Sequence, residues 1–540
     1  MEQINRIDNI LYGSKIDIPI DKKGVGRTYF EKMKEYKNRI FQINAITGEE
    51  QTYEQVNKKC IRIALELKKR GVEKGDVILG CSPNSLDAIL PVLSALYVGA
   101  IPATLDPSVS LRNTIHLLKI TKPKFVFVVE NAVELVQSAL KQLGLKPLIV
   151  VMGIHERYIT LSAAFLNPHP EEGTFVPDIP DNVTDTAMIW FSSGTTDLPK
   201  AACLSHKSIL TAAALQWIDD IDCDAVLYYS SYYWHSANTL SSYIIMKGGK
   251  RIIPGNFDPE VVLKLIDRYK ITLIFFAPTS AMRFTEENTK KFKSESLQEM
   301  RISGSMMIPI QLQKLTKYFP NTRLHIGYSQ AETGGPVSRF SKRSGDLWKK
   351  KLNSCGLPAP NTKIKITDVE TGKALPPYER GEIRVQSPTM FNGYYNGNSY
   401  DVLDKDGFIK TGDVGYYDED NCVVFADRIQ DMFKYRNSQI APAFIENLIY
   451  QHPAVLEAVV VGIPHEKDGN HPMALVVLRP GMKAKEEELL KLVNDSVIER
   501  EKLRAGLQIV KRLPKTATGK LARKVVRDLA TDNVLDSLKK

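Results

Sequence analysis

Short apolar runs alternate with amphipathic stretches through most of this 540-residue chain, and that alternation restricts the fold more than any other feature. Tyr53 to Arg70 repeats its apolar residues at helical spacing, Asp76 to Cys81 reads as a strand, and Leu86 to Val98 as the next helix. Lys124 to Val129 is a strand rich in valine and phenylalanine, Ala132 to Leu143 is helical, and Leu148 to Met152 is again a strand. The pattern resumes with strands at Ala187 to Phe191, Val226 to Tyr229, Ile271 to Phe276 and Arg323 to Tyr328. Strands separated by whole helices pair in parallel through crossover connections. Ligands in such sheets bind beyond the carboxyl ends of the strands.

After Cys355 the texture changes. Glycine, proline and short alternating strands up to Ala426 predict a β subdomain. From about Gln430 a second α/β unit begins, with a helix over Pro442 to Gln451 and strands around Ala458 to Gly462 and Ala474 to Leu478. The expectation is an α/β protein. A large N-terminal domain, residues 1–429, would hold parallel sheets flanked by helices plus the β subdomain. A small mobile α+β domain, residues 430–540, would follow, with the boundary at Arg428 to Gln430.

Composition removes several function classes. The net charge of +10 suits a partner rich in phosphate, but no basic motif interleaved with aromatics points to nucleic acid. The six cysteines are scattered without a Cys-x-x-Cys, which argues against structural zinc and a disulfide framework and for a reducing compartment. Met1 to Asp8 lacks the apolar core of a signal peptide, and runs such as Ile271 to Pro278 and Val455 to Pro464 are too short to span a bilayer. The chain ends Asp536-Ser-Leu-Lys-Lys540, which is not the peroxisomal Ser-Lys-Leu address. An intracellular, cytoplasmic protein is expected, a monomer or weak homo-oligomer without a transmembrane segment or nucleic-acid partner.

Five segments carry chemistry. Trp190-Phe-Ser-Ser-Gly-Thr-Thr-Asp-Leu-Pro-Lys200 leads an apolar strand into hydroxyls, a glycine and a lysine, the donors that phosphates need, although it is not a Walker A loop. Gly327-Tyr-Ser-Gln-Ala-Glu-Thr-Gly334 sets one carboxylate, Glu332, in a loop of small residues, a hard oxygen ligand suited to Mg²⁺. Ile409-Lys-Thr-Gly-Asp413 presents a lone carboxylate able to accept hydrogen bonds from a diol. Asp427-Arg-Ile-Gln-Asp-Met-Phe-Lys-Tyr-Arg-Asn-Ser-Gln-Ile-Ala-Pro442 leads into a helix carrying Glu446, and Leu513-Pro-Lys-Thr-Ala-Thr-Gly-Lys520 places a lysine at the tip of a small loop. Singly, each is also consistent with a solvated turn.

In this order the five segments resemble the adenylate-forming superfamily of acyl- and aryl-CoA ligases, insect luciferases and peptide-synthetase adenylation domains. The resemblance runs from about Tyr53 to Arg527 and is closest to the 4-coumarate–CoA-ligase-like enzymes and insect luciferases, notably through Lys434-Tyr-Arg-Asn-Ser-Gln-Ile-Ala-Pro442. It implies a two-step reaction. ATP and Mg²⁺ activate a small-molecule carboxylic acid as an acyl-adenylate, and coenzyme A then takes the acyl group. Ser192, Ser193, Gly194, Thr195, Thr196 and Lys200 inherit the triphosphate grip. Glu332, with Thr196, inherits the magnesium, and Thr333 a place near the α-phosphate. Gly327 and Tyr328 join the nucleotide contacts, as does Ser303-Gly304-Ser305, the segment that packs on adenine. Asp413 and Arg428 inherit the ribose, Lys520 the α-phosphate and the attacking carboxylate, and Lys434 the second half-reaction after rotation about Gln430. His235, within Tyr232-Tyr-Trp-His, falls at the acyl pocket, where Tyr232, Tyr233 and Trp234 could form an aromatic wall.

Four departures touch substrate and rate. Asp197 and Ala201 stand where the phosphate loop usually has glycine, Met306 and Met307 replace a small residue and proline beside adenine and the acyl pocket, and Asn437 replaces a common glycine. Three readings remain open: an acyl-CoA ligase for a fatty or aryl acid, which is favoured; a luciferase oxidising a luciferin with O₂; and a weakened nucleotide-binding homologue in which Asp197 blocks the loop.

Overall fold

The computed structural model describes all residues except 1–3, 193–197, 219–222, 291, 293–294, 305–306, 308, 398, 437, 516–520, 533 and 540. Among the described residues, the alternating region folds into two seven-stranded sheets. The first runs in the order Lys200–Ser205, Thr186–Ser192, Ile101–Leu105, Val77–Cys81, Phe125–Val129, Leu148–Met152, Ile159–Thr160. Its pairs are parallel except for the hairpin between Thr186–Ser192 and Lys200–Ser205. The second runs Arg323–Ile326, Glu299–Ile302, Leu273–Phe276, Ala225–Tyr228, Lys250–Ile253, Ile40–Asn44, Glu50–Thr52, and is parallel except at its last pair.

The helix Tyr53–Lys69 shows why the sequence signal was strong. Thr52 and Gln55 form a reciprocal capping box at its start, and its buried face is Val56, Cys60, Ile63, Ala64 and Leu67, spaced three and four residues apart. With helices Gly24–Glu35, Leu90–Tyr97 and His235–Lys247 it builds one core reaching both sheets. Fully buried Arg251 ties the sheets together. It donates to Gln42 Oε1 at 2.8 Å, Tyr232 Oη at 2.9 Å and the Ser85 carbonyl at 2.7 Å. These acceptors are neutral, so the desolvated guanidinium is held by hydrogen bonds with a full complement of oxygens around it.

The β subdomain is larger than its sequence signal. It is a six-stranded antiparallel sheet that begins with a hairpin near the start of the chain, Asn5–Ile7 and Ile10–Tyr12, joined to Lys363–Thr367 in the register Tyr12↔Lys363. The hairpin turns on Asp8 and Asn9, at φ 51° and 58°, the left-handed pair of a type I′ turn. Gly381–Gln386, Ile409–Tyr417 and Val423–Arg428 complete the sheet.

Residues from Phe433 onward form a separate five-stranded sheet of Ser438–Ile440, Phe433–Tyr435, Gly469–Leu478, Val455–His465 and Leu507–Ile509. Its two apolar clusters draw their buried members from Tyr435 to Leu538 alone. Its central hairpin is longer than expected: the strands reach His465 and restart at Gly469. No described helix is long and apolar enough to cross a membrane. The six cysteines are all buried and none forms a disulfide.

Candidate active site

Two sheet ends meet at Glu332. The hydroxyl-rich segment joins antiparallel strands whose last registered pair is Ser192↔Lys200, while Glu332 lies in the loop after Arg323–Ile326 of the other sheet. Ser192 Oγ donates to Glu332 Oε1 at 2.9 Å, and Tyr394 Oη donates to the same oxygen at 2.8 Å. Lys200 Nζ stands 5.0 Å from the centre of the Tyr394 ring, within cation–π range. Burial and the Glu332 carboxylate push the Tyr394 phenol well above its ordinary pKa, so it stays protonated and serves as donor. Both hydroxyls fall on Oε1. Oε2 is therefore the oxygen left to meet a hard cation such as Mg²⁺. Sequence reasoning missed Tyr394. Its signal, an aromatic pair after Asn392-Gly393, has no chemistry until the fold carries it to Glu332.

The same loop is fixed from below. Thr333 is fully buried, and its Oγ1 accepts from the Gln330 amide at 3.0 Å and lies 2.9 Å from the Gln330 carbonyl. That hydroxyl serves the loop. Gly334 follows at φ +66°, where a Cβ would come within 1.8 Å of the Thr389 carbonyl oxygen. Glycine is required on both counts.

Asp413 forms a second cluster. Tyr328 Oη donates to its Oδ2 at 2.8 Å, Gln330 Nε2 donates at 2.6 Å, and Arg428 Nε lies 3.4 Å from Oδ1 across the register pair Asp413↔Arg428. Gln330, also absent from the expectations, links this cluster to the Glu332 loop. Ser303 Oγ donates to the Gly327 carbonyl at 3.3 Å, and Gly304 sits at φ +107° with open space where a Cβ would be. Glu332, Asp413, Arg428, Tyr328, Gly327, Ser303 and Gly304 thus cluster around neighbouring strand ends.

His235 opens helix His235–Lys247, with Nε2 3.1 Å from Ser329 Oγ and its ring 6.1 Å from that of Trp190. The expected aromatic wall is corrected here. Tyr232 and Tyr233 are turned into two different cores, Tyr232 bonding to Arg251 and Ser241, and Tyr233 packing on Phe191. Met307 is likewise core, 2% exposed among the residues under the second sheet. Ala201 is a buried strand residue opposite Phe191. Lys434 is exposed on Phe433–Tyr435, and Gln430 is exposed in the turn after Arg428. Ser193, Gly194, Thr195, Thr196, Asp197, Ser305, Met306, Asn437 and Lys520 lie outside the described residues.

At the boundary expected from sequence, Asp427 Oδ2 accepts from the Ala443 amide at the start of helix Pro442–Ile449 at 2.9 Å, and Oδ1 accepts from the Arg428 amide at 2.8 Å. Burial pushes this carboxyl up to about 6, against the pull of Arg523.

Comparison with known proteins identifies the assembly. The profile of the AMP-binding enzyme family matches residues 29–395, and that of the AMP-binding enzyme C-terminal domain matches residues 445–520. The chain belongs to the AMP-binding enzyme family, within the adenylate-forming superfamily. The likeness to AMP-binding enzymes extends over nearly the whole length. A luciferin 4-monooxygenase of Luciola mingrelica is 29% identical, covering 98% of this chain and 98% of its own. A 4-coumarate–CoA ligase of Petroselinum crispum is also 29% identical, over 96% of this chain and 97% of its own. The solved luciferase-like enzyme of the nonluminescent mealworm Zophobas morio is 35% identical, with a TM-score of 0.75 over 78% of this chain and 100% of its own. The α/β architecture, a large N-terminal part and a C-terminal unit, is that of adenylate-forming enzymes.

Proposed function

We propose that this chain is an acid–thiol ligase: it converts a carboxylic acid and ATP into an acyl-adenylate, releasing pyrophosphate, and passes the acyl group to coenzyme A. The observation that carries the reading is the adjacency of two acidic clusters of opposite design. Glu332 holds hydroxyl donors on one oxygen and has a lysine within cation–π distance of its tyrosine partner. Asp413 is buried beside Arg428 with two side-chain donors on one oxygen. The first suits a metal-bound triphosphate, the second a ribose diol.

In this reading Glu332 and Thr196 would hold Mg²⁺, which supplies charge neutralisation to the phosphates. Ser192, Ser193, Gly194, Thr195, Thr196 and Lys200 grip the triphosphate, and Asp413 and Arg428 orient the ribose. Lys520 stabilises the negative charge that builds as the carboxylate oxygen bonds to the α-phosphorus and pyrophosphate leaves. His235 borders the acid. Residues 430–540 then turn about Gln430, Lys520 withdraws, Lys434 approaches, and the thiol displaces AMP. No covalent protein intermediate is needed; positioning and electrostatics suffice.

The luciferase reading stands second, supported by the likeness to the Luciola mingrelica enzyme over nearly the full chain. The likeness to a luciferase-like enzyme from a nonluminescent mealworm favours the dark reaction. The test is acid-dependent exchange of pyrophosphate into ATP, followed by thioester analysis with coenzyme A and luminometry with luciferins. Thioester formation in darkness is expected. Sustained O₂-dependent light without thioester would overturn the ligase assignment.

A further inference from the structure

The tip of the long C-terminal hairpin carries a cluster that the proposed reaction does not use. Strand Val455–His465 ends on His465, the turn holds Asp468, and strand Gly469–Leu478 places His471 opposite Ile463. His465 and Ile463 are two residues apart on one strand, so His465 and His471 share a face as diagonal neighbours. Their rings stack with centroids 3.8 Å apart and an interplanar angle of 16°. His471 Nε2 lies 2.9 Å from Asp468 Oδ2, and His465 Nδ1 lies 3.6 Å from the same oxygen. Two imidazole nitrogens thus converge on one carboxylate oxygen. The other oxygen accepts from Arg436 Nε at 2.9 Å, which fixes the carboxylate's orientation.

We propose that His465, Asp468 and His471 bind a divalent transition cation of the zinc class, with a fourth position open to water. Two imidazoles and a carboxylate are a borderline donor set that prefers Zn²⁺, Co²⁺ or Ni²⁺ to Mg²⁺ or Ca²⁺. The three ligand atoms lie within 4.8 Å of one another. Donors around a tetrahedral zinc stand about 3.4 Å apart for bonds of about 2.1 Å, so small side-chain rotations close the site.

The position gives such a cation a consequence. The Asp468 carbonyl accepts from the Arg436 amide at 2.7 Å, and Asn470 Nδ2 donates to the Lys434 carbonyl at 3.1 Å. The metal loop therefore clasps the strand bearing Lys434. If that strand serves the thiol step, as the proposed function holds, an occupied site stiffens it. The second half-reaction slows, while adenylate formation does not change.

The test uses full-length protein without a polyhistidine tag, stripped with EDTA and titrated with Co²⁺ in the absence of substrate. One equivalent should bind with visible d–d absorption and be displaced by Zn²⁺. His465→Gln and His471→Gln should each weaken binding at least tenfold, and Asp468→Asn should do the same, with circular dichroism unchanged. No visible absorption with protein and Co²⁺ both at near-millimolar concentration, or absorption that persists in the double histidine variant, would overturn the site. Zn²⁺ at saturation should then slow thioester formation but not pyrophosphate exchange; equal effects on both would refute the coupling to Lys434. Binding is read without turnover, so it can succeed even if the ligase assignment fails.

Discussion

Asp427 lends itself to a quantitative test, because its carboxylate spans the point where the β subdomain gives way to the C-terminal unit. Its two oxygens take the Ala443 and Arg428 amides, and burial raises its pKa from the usual 3.8 to about 6. A raised carboxyl pKa means that the folded chain holds this proton more tightly than the unfolded chain. The stabilisation is complete below about pH 3.8 and is lost as pH rises through about 6. Integrating that linkage between about pH 4.5 and pH 7 gives a loss of about 2 kcal/mol attributable to this one group. Asp427→Asn removes the titration while keeping the shape. The stability difference between wild type and variant should therefore shift by about 2 kcal/mol across that range, in the variant's favour at the higher pH. Urea unfolding of both proteins at the two pH values measures it, since all other titrating groups cancel in the comparison. Parallel pH profiles, agreeing within about 0.5 kcal/mol, would refute the claim that Asp427 is buried with an elevated pKa.

Further outcomes follow from the same geometry. Lys520→Ala should slow pyrophosphate exchange by roughly a hundred- to a thousand-fold, whereas Lys434→Ala should spare exchange and slow thioester formation; equal losses in both steps for both variants would contradict the two-conformation scheme. Gln430→Pro fixes φ in the exposed turn after Arg428 and should retain adenylation while losing the thiol step, which a single-turnover assay resolves. Gly334→Ala forces a Cβ against the Thr389 carbonyl at a left-handed φ and should cost at least about 2 kcal/mol in thermal unfolding while weakening ATP binding. Asp197→Gly, tested by the KM for ATP, should change it only modestly; a gain of tenfold or more would mean that the native carboxylate repels the nucleotide.

Periodicity made the parallel sheets readable, because Val77–Cys81 and Phe125–Val129 are buried on both faces and show it as unbroken apolar runs. The helix Tyr53–Lys69 was legible from the helical spacing of its apolar residues, which the fold buries as Val56, Cys60, Ile63, Ala64 and Leu67. The hairpin Asn5–Tyr12 was missed because its partner strand is set by distant pairing and its own three-residue strands carry little pattern. At the site, Glu332 and Asp413 stood out because a lone carboxylate beside glycine is a local signal; the fold sets Glu332 in the loop after Arg323–Ile326 and Asp413 within strand Ile409–Tyr417. Tyr394 and Gln330 were invisible, for their function arises only when separate strands bring them within hydrogen-bonding reach. Tyr232 and Met307 misled in the other direction. An aromatic or a methionine beside a motif is as readily a packing residue, and only the fold shows which way the side chain turns.

The N-terminal hairpin also sets a clock on biosynthesis. Ile10–Tyr12 pairs at once with Asn5–Ile7, but its other edge has no partner until Lys363–Thr367 has been made. At ribosomal rates of about 5–20 residues per second, the hairpin waits roughly 20–70 s with one edge uncovered. The sheet that holds Asp413 is thus among the late parts of the molecule to close. A nascent chain can finish both seven-stranded sheets, and so own the Glu332 loop, before it owns the sheet that carries Asp413 and Arg428. During that interval the exposed edge is a place for a chaperone, or for a neighbouring nascent chain, to pair.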